Sequence, residues 1–535
     1  MQHLNYLLFF LFCGMLNSLA GQTTRYVDEI FTDINIEHNV VYATNISVLA
    51  MNPDTIPLVM DVYTPVGDTN PERPTVIYIP TGNFFPPYFN GRVTGGKSDS
   101  TVVEVCTRLA KRGYTAIAAA YRLGWNPNAS ENTIISGSFL QAIHRGIQDI
   151  RSCVRFLRKT VVEEGNPYGI DSGRIVAWGQ ETGGYLALGV ATLDDYSEIS
   201  ALGKFINPET LEPYILENVH GDIYGETTAI LNLPNSPGYS SEIHLAVSMG
   251  GAICDTSWIE RDALLQPPII GYHVVTDPFI PFGDGPVIMP HPNILVLPVS
   301  GTRLVVQVAN EKGVNDPLDP INGQMTGLSA FLENRTELLA DIPINLATLG
   351  QTLTTYATEH MYPFIIANNQ LGSAPWEWWD FSQLETAIME VNQEYSINFN
   401  ATELHENNLT INSDMSAEKA RAYIDTIFAH YLPRACQVLQ LEECAIVASE
   451  EIADDSLIGL SVAPNPATER VFIRTNPAYP MEAIQVFDIN GRYISSQYGI
   501  DNHQYELERG NLPAGAYLVK VKFAEGISVR KVIFR

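Results

Sequence analysis

The run Trp178-Gly179-Gln180-Glu181-Thr182-Gly183-Gly184-Tyr185 has the form G-x-E-x-G, entered from Ile175-Val176-Ala177 and left through Leu186-Ala187-Leu188. A strand that passes through a glycine-flanked turn into a helix lifts one side chain above the sheet and aims it at the free N–H groups of the helix's first turn. In G-x-S-x-G that side chain is a serine nucleophile; here it is Glu181. A carboxylate at the apex has three uses: a nucleophile, an acid or base beside a histidine, or a fixed anion on a helix N-terminus in a site that binds without turnover. It holds no hydroxyl proton for a neighbouring histidine to take, so serine chemistry is lost or altered. Thr182 carries a hydroxyl but stands one position past the apex.

Positioning this turn requires alternating strands and helices. Strands are expected at Thr75–Ile79, Thr115–Tyr121, Ile243–Met249 and Pro268–Val275, after antiparallel leading pieces such as Val40-Val41-Tyr42 and Leu58–Tyr63. Helices are expected at Thr101–Arg112, opened by a Thr101/Glu104 capping box and closed by Gly113, at Ser138–Glu164, near Arg303–Glu311, and at Ser416–Leu432, with Ser416 as N-cap and Pro433 as terminator. In the second of these, Ile143, Ile147, Ile150, Val154 and Leu157 mark a core face. Strands alternating with helices predict an α/β fold with a mostly parallel sheet flanked by helices. The alternating Leu353–Ala357 reads as the last strand of this body. Residues 313–350 lack a clear period and read as an inserted region, a lid or an ornament.

With 535 residues, 45% hydrophobic and 17% charged, the chain can bury a large core and a second, smaller domain. A formal charge of −29 argues against nucleic acid and anionic membrane surfaces as partners. Leu7–Phe12 followed by Ser18-Leu19-Ala20-Gly21 reads as a secretory signal peptide over residues 1–21, and no later segment is apolar and long enough to span a bilayer. Cys13 leaves with that signal; of the remaining cysteines, Cys436 and Cys444 are the best disulfide pair, and Cys106 and Cys153 read as small core residues. No cysteine or histidine spacing suggests a metal, and no cofactor is expected. The predicted organisation is a signal at 1–21, a body at 22–448, an acidic linker at 449–459 and an all-β module at 460–535.

That last module resembles the C-terminal sorting domain of type IX secretion in the Bacteroidetes, through Ala463-Pro464-Asn465-Pro466, Phe487-Asp488-Ile489-Asn490-Gly491-Arg492, Leu512-Pro513-Ala514-Gly515-Ala516-Tyr517 and Val529-Arg530-Lys531-Val532-Ile533. The resemblance implies a β-sandwich, a type IX secretion partner, and delivery to the cell surface or beyond.

From residue 58 to about 285 the chain resembles the carboxylesterase and lipase branch of the α/β-hydrolases: Tyr121-Arg122-Leu123-Gly124, Gln148-Asp149-Ile150-Arg151, Val154-Arg155-Phe156-Leu157 and Tyr168-Gly169-Ile170-Asp171. The H-G-x-x-D-x-x-V-P acid motif appears as His273-Val274-Val275-Thr276-Asp277-Pro278-Phe279-Ile280-Pro281, which implies Asp277 as the triad acid, on a loop at the sheet's carboxyl end. The order elbow, acid, histidine makes His360 the preferred third member, with His291 and His405 as fallbacks. The oxyanion-loop motif H-G-G-x-F appears as Pro80-Thr81-Gly82-Asn83-Phe84; backbone donors near Gly82, Asn83 and Thr182 are its expected remnant. Phe84, Trp376 and Trp378 are the expected substrate wall, the last two from the tryptophan-rich Pro375–Asp380, a run that reads equally as a buried aromatic plug. The implied partner is a small or polymeric ester as substrate, or a ligand held without turnover.

Overall fold

The computed structural model describes residues 24–49, 53–201, 203–260, 266–288, 295–318, 342–346, 351–355, 358–366, 370–441, 444, 455–488, 493–524 and 526–535. The expected signal peptide, His291, most of the 313–350 insertion and the start of the acidic linker lie outside the described residues.

The body is built on one eight-stranded sheet. Its strands are β1 (Ile34–Ser47), β2 (Asp54–Pro65), β3 (Arg73–Ile79), β4 (Thr115–Ala119), β5 (Ile170–Gln180), β6 (Leu245–Met249), β8 (Ile269–Val274) and β13 (Met361–Phe364). They lie in the order β1-β2-β4-β3-β5-β6-β8-β13. The pairs β1/β2 and β2/β4 are antiparallel, and every later pair is parallel. The central strands β3, β4, β6 and β8 are buried at every position, as parallel strands covered on both faces must be.

Two apolar cores sandwich the sheet. One contains the long helix Asn132–Glu163, the helix Thr182–Thr192 and the helix Thr302–Glu311; the other contains the helices Ser100–Lys111 and Ala417–Val438. Ile143, Ile147, Ile150, Val154 and Leu157 are all buried on the long helix, which begins at Asn132, a turn and a half before the sequence signal suggested. The capping box at Thr101 does not form: the helix starts at Ser100, Thr101 donates its hydroxyl to the Trp376 carbonyl (2.7 Å), and Glu104 pairs with Arg108. Ser416 caps its helix by accepting from Lys419 N, but Pro433 does not end it; Ala435 and Cys436 are buried beyond the proline, so packing carries the helix on to Val438 despite one missing N–H. A disulfide joins Cys436 to Cys444, while Cys106, Cys153 and Cys254 are buried and free.

Leu353 does not start the last strand of the sheet. Residues Gln351–Thr354 (β12) pair with Pro343–Leu346 (β11) in a separate hairpin, and the sheet's last strand is β13. A separate three-stranded antiparallel set is formed by β7 (Ala252–Ile253), β10 (Leu295–Gly301) and β9 (Asp284–Ile288).

The C-terminal module is a sandwich of two antiparallel sheets. Strands β14 (Ser461–Ala463), β15 (Arg470–Arg474) and β18 (Gln504–Glu508) form one, and β17 (Tyr493–Asn502), β16 (Met481–Asp488), β19 (Gly515–Phe523) and β20 (Gly526–Phe534) form the other. They share a core including Val471, Ile473, Val486, Val519, Val521 and Val532. Among the described residues no helix is long and apolar enough to cross a membrane.

Candidate functional site

Between β5 and the helix Thr182–Thr192, Glu181 adopts φ 47°, ψ −109°, a region that non-glycine residues rarely visit. Its neighbours explain why the turn is tight. A Cβ on Gly179 would stand 1.9 Å from the Gly183 carbonyl oxygen, and one on Gly183 would stand 2.1 Å from that of Ile79. Glycine is therefore required on both sides of the apex. The Glu181 N–H donates to the Met249 carbonyl (2.7 Å) and its own carbonyl accepts from Gly184 N (2.8 Å), which fixes the strained residue from two directions.

The Glu181 side chain is 7% exposed. Oε2 accepts from the Thr81 hydroxyl at 2.7 Å; Oε1 lies 3.5 Å from Ser373 Oγ and 3.8 Å from Arg92 Nη2. Asp277 follows β8, where Oδ1 accepts from the N–H groups of Phe279 (2.8 Å) and Ile280 (3.1 Å), and Oδ2 accepts from Ser373 Oγ at 2.6 Å. A single hydroxyl thus links the apex carboxylate to the acid. Ser373 lies in the connection after β13, the sheet's last strand.

His360 is not brought to this site. It stands immediately before β13, and its Nδ1 accepts from Arg434 Nε at 3.3 Å. The assignment fails because the last strand runs from 361 to 364 rather than through 353–357, so a residue following that strand must come from beyond 364. His405 is also elsewhere, its Nδ1 accepting from Trp379 Nε1 at 3.0 Å. His273 is structural, its Nε2 3.2 Å from the carbonyl of Ile280 in the Asp277 turn.

The loop after β3 keeps an unusual backbone, with φ 148° at Gly82, 52° at Asn83 and 56° at Phe84. The Asn83 N–H, an expected oxyanion donor, is engaged: it donates to Thr182 Oγ1 at 3.2 Å. The Tyr121 hydroxyl donates to the Pro80 carbonyl (3.1 Å) and lies 3.4 Å from that same Thr182 oxygen, so Thr182 ties the loop to the elbow.

A small pocket adjoins Glu181, Arg92, Asn83, Thr182 and Ser373, with an apolar side made by Phe139, Tyr185, Phe279, Ile280, Val287 and Ile288. Phe84, Trp376 and Trp378 do not line it. Phe84 is buried edge-on against Tyr121 and Phe139. Trp376 is buried in the core, and Trp378 lies under the Arg421 guanidinium. Phe84 and Trp376 pack behind the site, whereas the pocket surface comes from helix, loop and β9 residues with no shared local pattern.

The electrostatics are dominated by carboxylates. Arg92 Nη2 reaches Glu377 Oε2 at 3.1 Å, and Gln180 Nε2 donates to Glu377 Oε1 at 2.6 Å. Removal from water raises the Asp277 pKa, the Ser373 hydrogen bond offsets part of that, and the Glu181 charge raises it again, leaving it at about 7. Burial and then the charge of Glu181 hold Glu377 above the usual carboxylate range, against the pull of Arg92. Thr81, Arg92, Ser373 and Glu377 were not singled out by sequence as site residues. Glu377 stands inside the tryptophan-rich run, whereas nothing in the sequence pointed to Ser373.

A family model designated BD-FAE matches residues 60–230, the span containing the oxyanion loop, Asp149 and the elbow. Together with the strand order, that match decides the body. It is an esterase-like α/β-hydrolase domain. The model of the secretion system C-terminal sorting domain matches residues 461–535, so the esterase-like body is joined to a type IX sorting domain that directs secretion to the cell surface or extracellular space. No curated protein matches the chain. Similar solved structures include Thermogutta terrifontis esterase 2 phosphoramylated by tabun, at 20% identity over 46% of this chain and 74% of that one, TM-score 0.28. The native form of that esterase is 19% identical over 48% and 76%, TM-score 0.27. Esterase B from Lactobacillus rhamnosis is 25% identical over 32% and 45%, TM-score 0.21. In the esterase-like body described here, Glu181 occupies the elbow apex and Ser373 is the side chain hydrogen-bonded to Asp277.

Proposed function

We propose that this protein is an exported ligand-binding protein on an esterase-like body, in which serine acyl transfer has been replaced by a fixed, hydrogen-bonded carboxylate cluster. In this reading residues 1–21 are the export signal, 22–448 the working domain, 449–459 a linker, and the sorting domain engages the type IX machinery. The observation that carries it is the chain Glu181–Ser373–Asp277, in which Ser373 Oγ lies 2.6 Å from Asp277 Oδ2 and 3.5 Å from Glu181 Oε1.

Acyl transfer needs a nucleophile, a base of suitable pKa, and donors for the developing oxyanion. Glu181 has no proton to give up and would place a negative charge beside the oxyanion. Among the described residues, the potential bases hydrogen-bonded to Ser373 are carboxylates, and Asn83 N–H is already engaged by Thr182. A small pocket with a polar end and an apolar side is retained at the elbow, and the binding reading requires it to open around its ligand.

Aryl-ester hydrolysis by purified wild-type protein, Glu181→Ser, and the double variant Glu181→Ser/Ser373→His tests the proposal. Wild type is expected to show no turnover above the buffer rate and Glu181→Ser little more. The double variant, which restores a nucleophile and a base in line with Asp277, is expected to gain roughly 10²-fold or more over the single variant. Wild-type turnover abolished by Glu181→Ala, or surviving that change but abolished by Ser373→Ala, would overturn it.

A further inference from the structure

Side chains alternate along a strand, so each sheet of a β-sandwich turns one row of residues into the core and leaves the other row to water. The three-stranded sheet of the sorting domain follows this rule. Across β15 and β18 its inner row is Val471/Leu507 and Ile473/Tyr505. Its outer row is Arg470/Glu508, Phe472/Glu506 and Arg474/Gln504, charged or polar but for one ring. Arg470 and Glu506 form an ion pair there at 2.7 Å, open to solvent.

The four-stranded sheet breaks it. Val486/Val519 and Tyr517/Val532 form its inner row, within the sandwich core. The register sets Phe487, Leu518 and Lys531 side by side on the opposite face, with Ala516/Ile533 and Lys520/Val529 on either side of them. Leu518 is 0% exposed and Val529 3% exposed, on a face that the sandwich itself cannot cover. The body covers it. Phe487, Ala516, Leu518, Val529 and Ile533 belong to the same apolar cluster as Tyr362 and Phe364 of β13 and Phe428 of the helix Ala417–Val438, and not to the core of their own module.

The body needs a cover at this place. β13 is the last strand of the eight-stranded sheet, and an open strand edge invites pairing with other chains. All four of its residues are buried. Asp488, at the end of β16, lies near enough to Tyr362 for its charge to add to burial, the larger cause, in raising the pKa of that hydroxyl. We infer that the outer face of the sorting domain's four-stranded sheet is a docking surface for the β13 side of the body, and that the two parts stay together after the linker between them is cut.

The inference uses the domain boundaries proposed above and is independent of what the pocket binds. No cysteine lies beyond Cys444, so once the linker is cut only noncovalent contact can hold the tail. Separation would return Leu518, Val529 and Phe487 to water together with the apolar side of the body that faces them, and that loss opposes release. The two outer faces of the module thus differ in kind: the apolar one is taken up by the body, and the charged one across β15 and β18 stays in solvent.

The test uses the purified full chain with a recognition sequence for a site-specific protease inserted after Ser449, cut to completion as judged on a denaturing gel. Sedimentation of the cut protein at roughly 10 µM is expected to show one species with the mass of the intact chain, which places the dissociation constant below about 10 µM. Leu518→Ala and Val529→Ala shorten the apolar contact without adding charge, and each is expected to weaken the association about tenfold or more in a dilution series. Phe472→Ala, on the charged outer face, is expected to leave it unchanged. Separate body and tail species in the cut wild type would overturn the inference, and that measurement needs no variant to fold. Release by Phe472→Ala as strong as that by Leu518→Ala, or unchanged association in both Leu518→Ala and Val529→Ala, would overturn it too, because the parts would then meet through another surface.

Discussion

Two buried ionic clusters flank the long helix and the elbow, and they are built on opposite principles. Around Arg122, the Asp149 carboxylate accepts from the backbone N–H (2.7 Å) and from Nε (2.8 Å), while Nη1 reaches the Leu231 carbonyl (2.8 Å) and Nη2 reaches Gln148 Oε1 (3.1 Å). Arg122 is paired directly with Asp149 and its remaining donors go to oxygen acceptors, while the buried Arg145 lies close enough to act on both charges. Around Glu181, three carboxylates share one guanidinium, and Arg92 Nε and the Tyr185 hydroxyl have no partner among the described residues. The first is held by a direct ion pair away from the pocket; the second gathers more carboxylates than cations beside one.

The backbone of the elbow belongs with the first kind, and its failure should be the most severe. Gly183→Ala would push a Cβ to 2.1 Å from the Ile79 oxygen and displace β3 or the elbow helix. It is expected to abolish soluble, cooperatively unfolding protein or to cost more than about 4 kcal/mol by denaturant titration. Asp149→Asn comes next, at roughly 3–5 kcal/mol by the same measurement, because it leaves the Arg122 charge buried and unmatched. Glu181→Gln should differ in sign: removing a charge that its carboxylate neighbours oppose is expected to be neutral or stabilising by up to about 1 kcal/mol near neutral pH. A loss comparable to that of Asp149→Asn would mean the two clusters serve the same purpose.

The smallest expected effect is in pH dependence. Asp277 has a folded pKa of about 7, above its ordinary 3.8, so the stability it contributes is fully present below the ordinary value and lost as pH rises through about 7. Glu377, also raised, acts in the same direction. Burial depresses His144 and His360 to about 3 and His220 and His273 to about 4. Their contributions are present above the ordinary 6.5 and lost as pH falls through the depressed values, so they are flat at higher pH. Thermal melts should therefore show stability declining between about pH 6.5 and about pH 8, with a shallower decline in Glu181→Gln. Identical slopes in the two proteins would separate Glu181 from Asp277.

The parts legible in the sequence were those with local causes. Strand, glycine and helix signals around residue 181 lie within one short run, and Gly179 and Gly183 are fixed by contacts with neighbouring backbone. Asp277 came from a motif and is joined by Ser373 to the apex, as part of the same constellation. Ser373 lies 96 residues beyond Asp277, in a loop with no spacing rule, and serine has no special standing there unless its hydroxyl is seen between two carboxylates. His360 was drawn in by chain order after an alternating segment that pairs instead in the β11/β12 hairpin. The tryptophans marked the right loop but the wrong side chains: Glu377 reaches the cluster, while Trp376 is buried in the core.

The Cys436–Cys444 bond closes only eight positions of sequence and sits where the body's last long helix meets the chain leading to the sorting domain. Helix ends fray because their final carbonyls lack partners. A cut anywhere beyond Cys444 would leave that last turn tethered through its sulfur, so trimming of the tail by an extracellular protease would not propagate inward to Tyr431 and Phe428, whose rings pack beside Trp178 at the foot of the elbow. The covalent link works as a ferrule on a rope, keeping the severed end from unlaying the strands behind it.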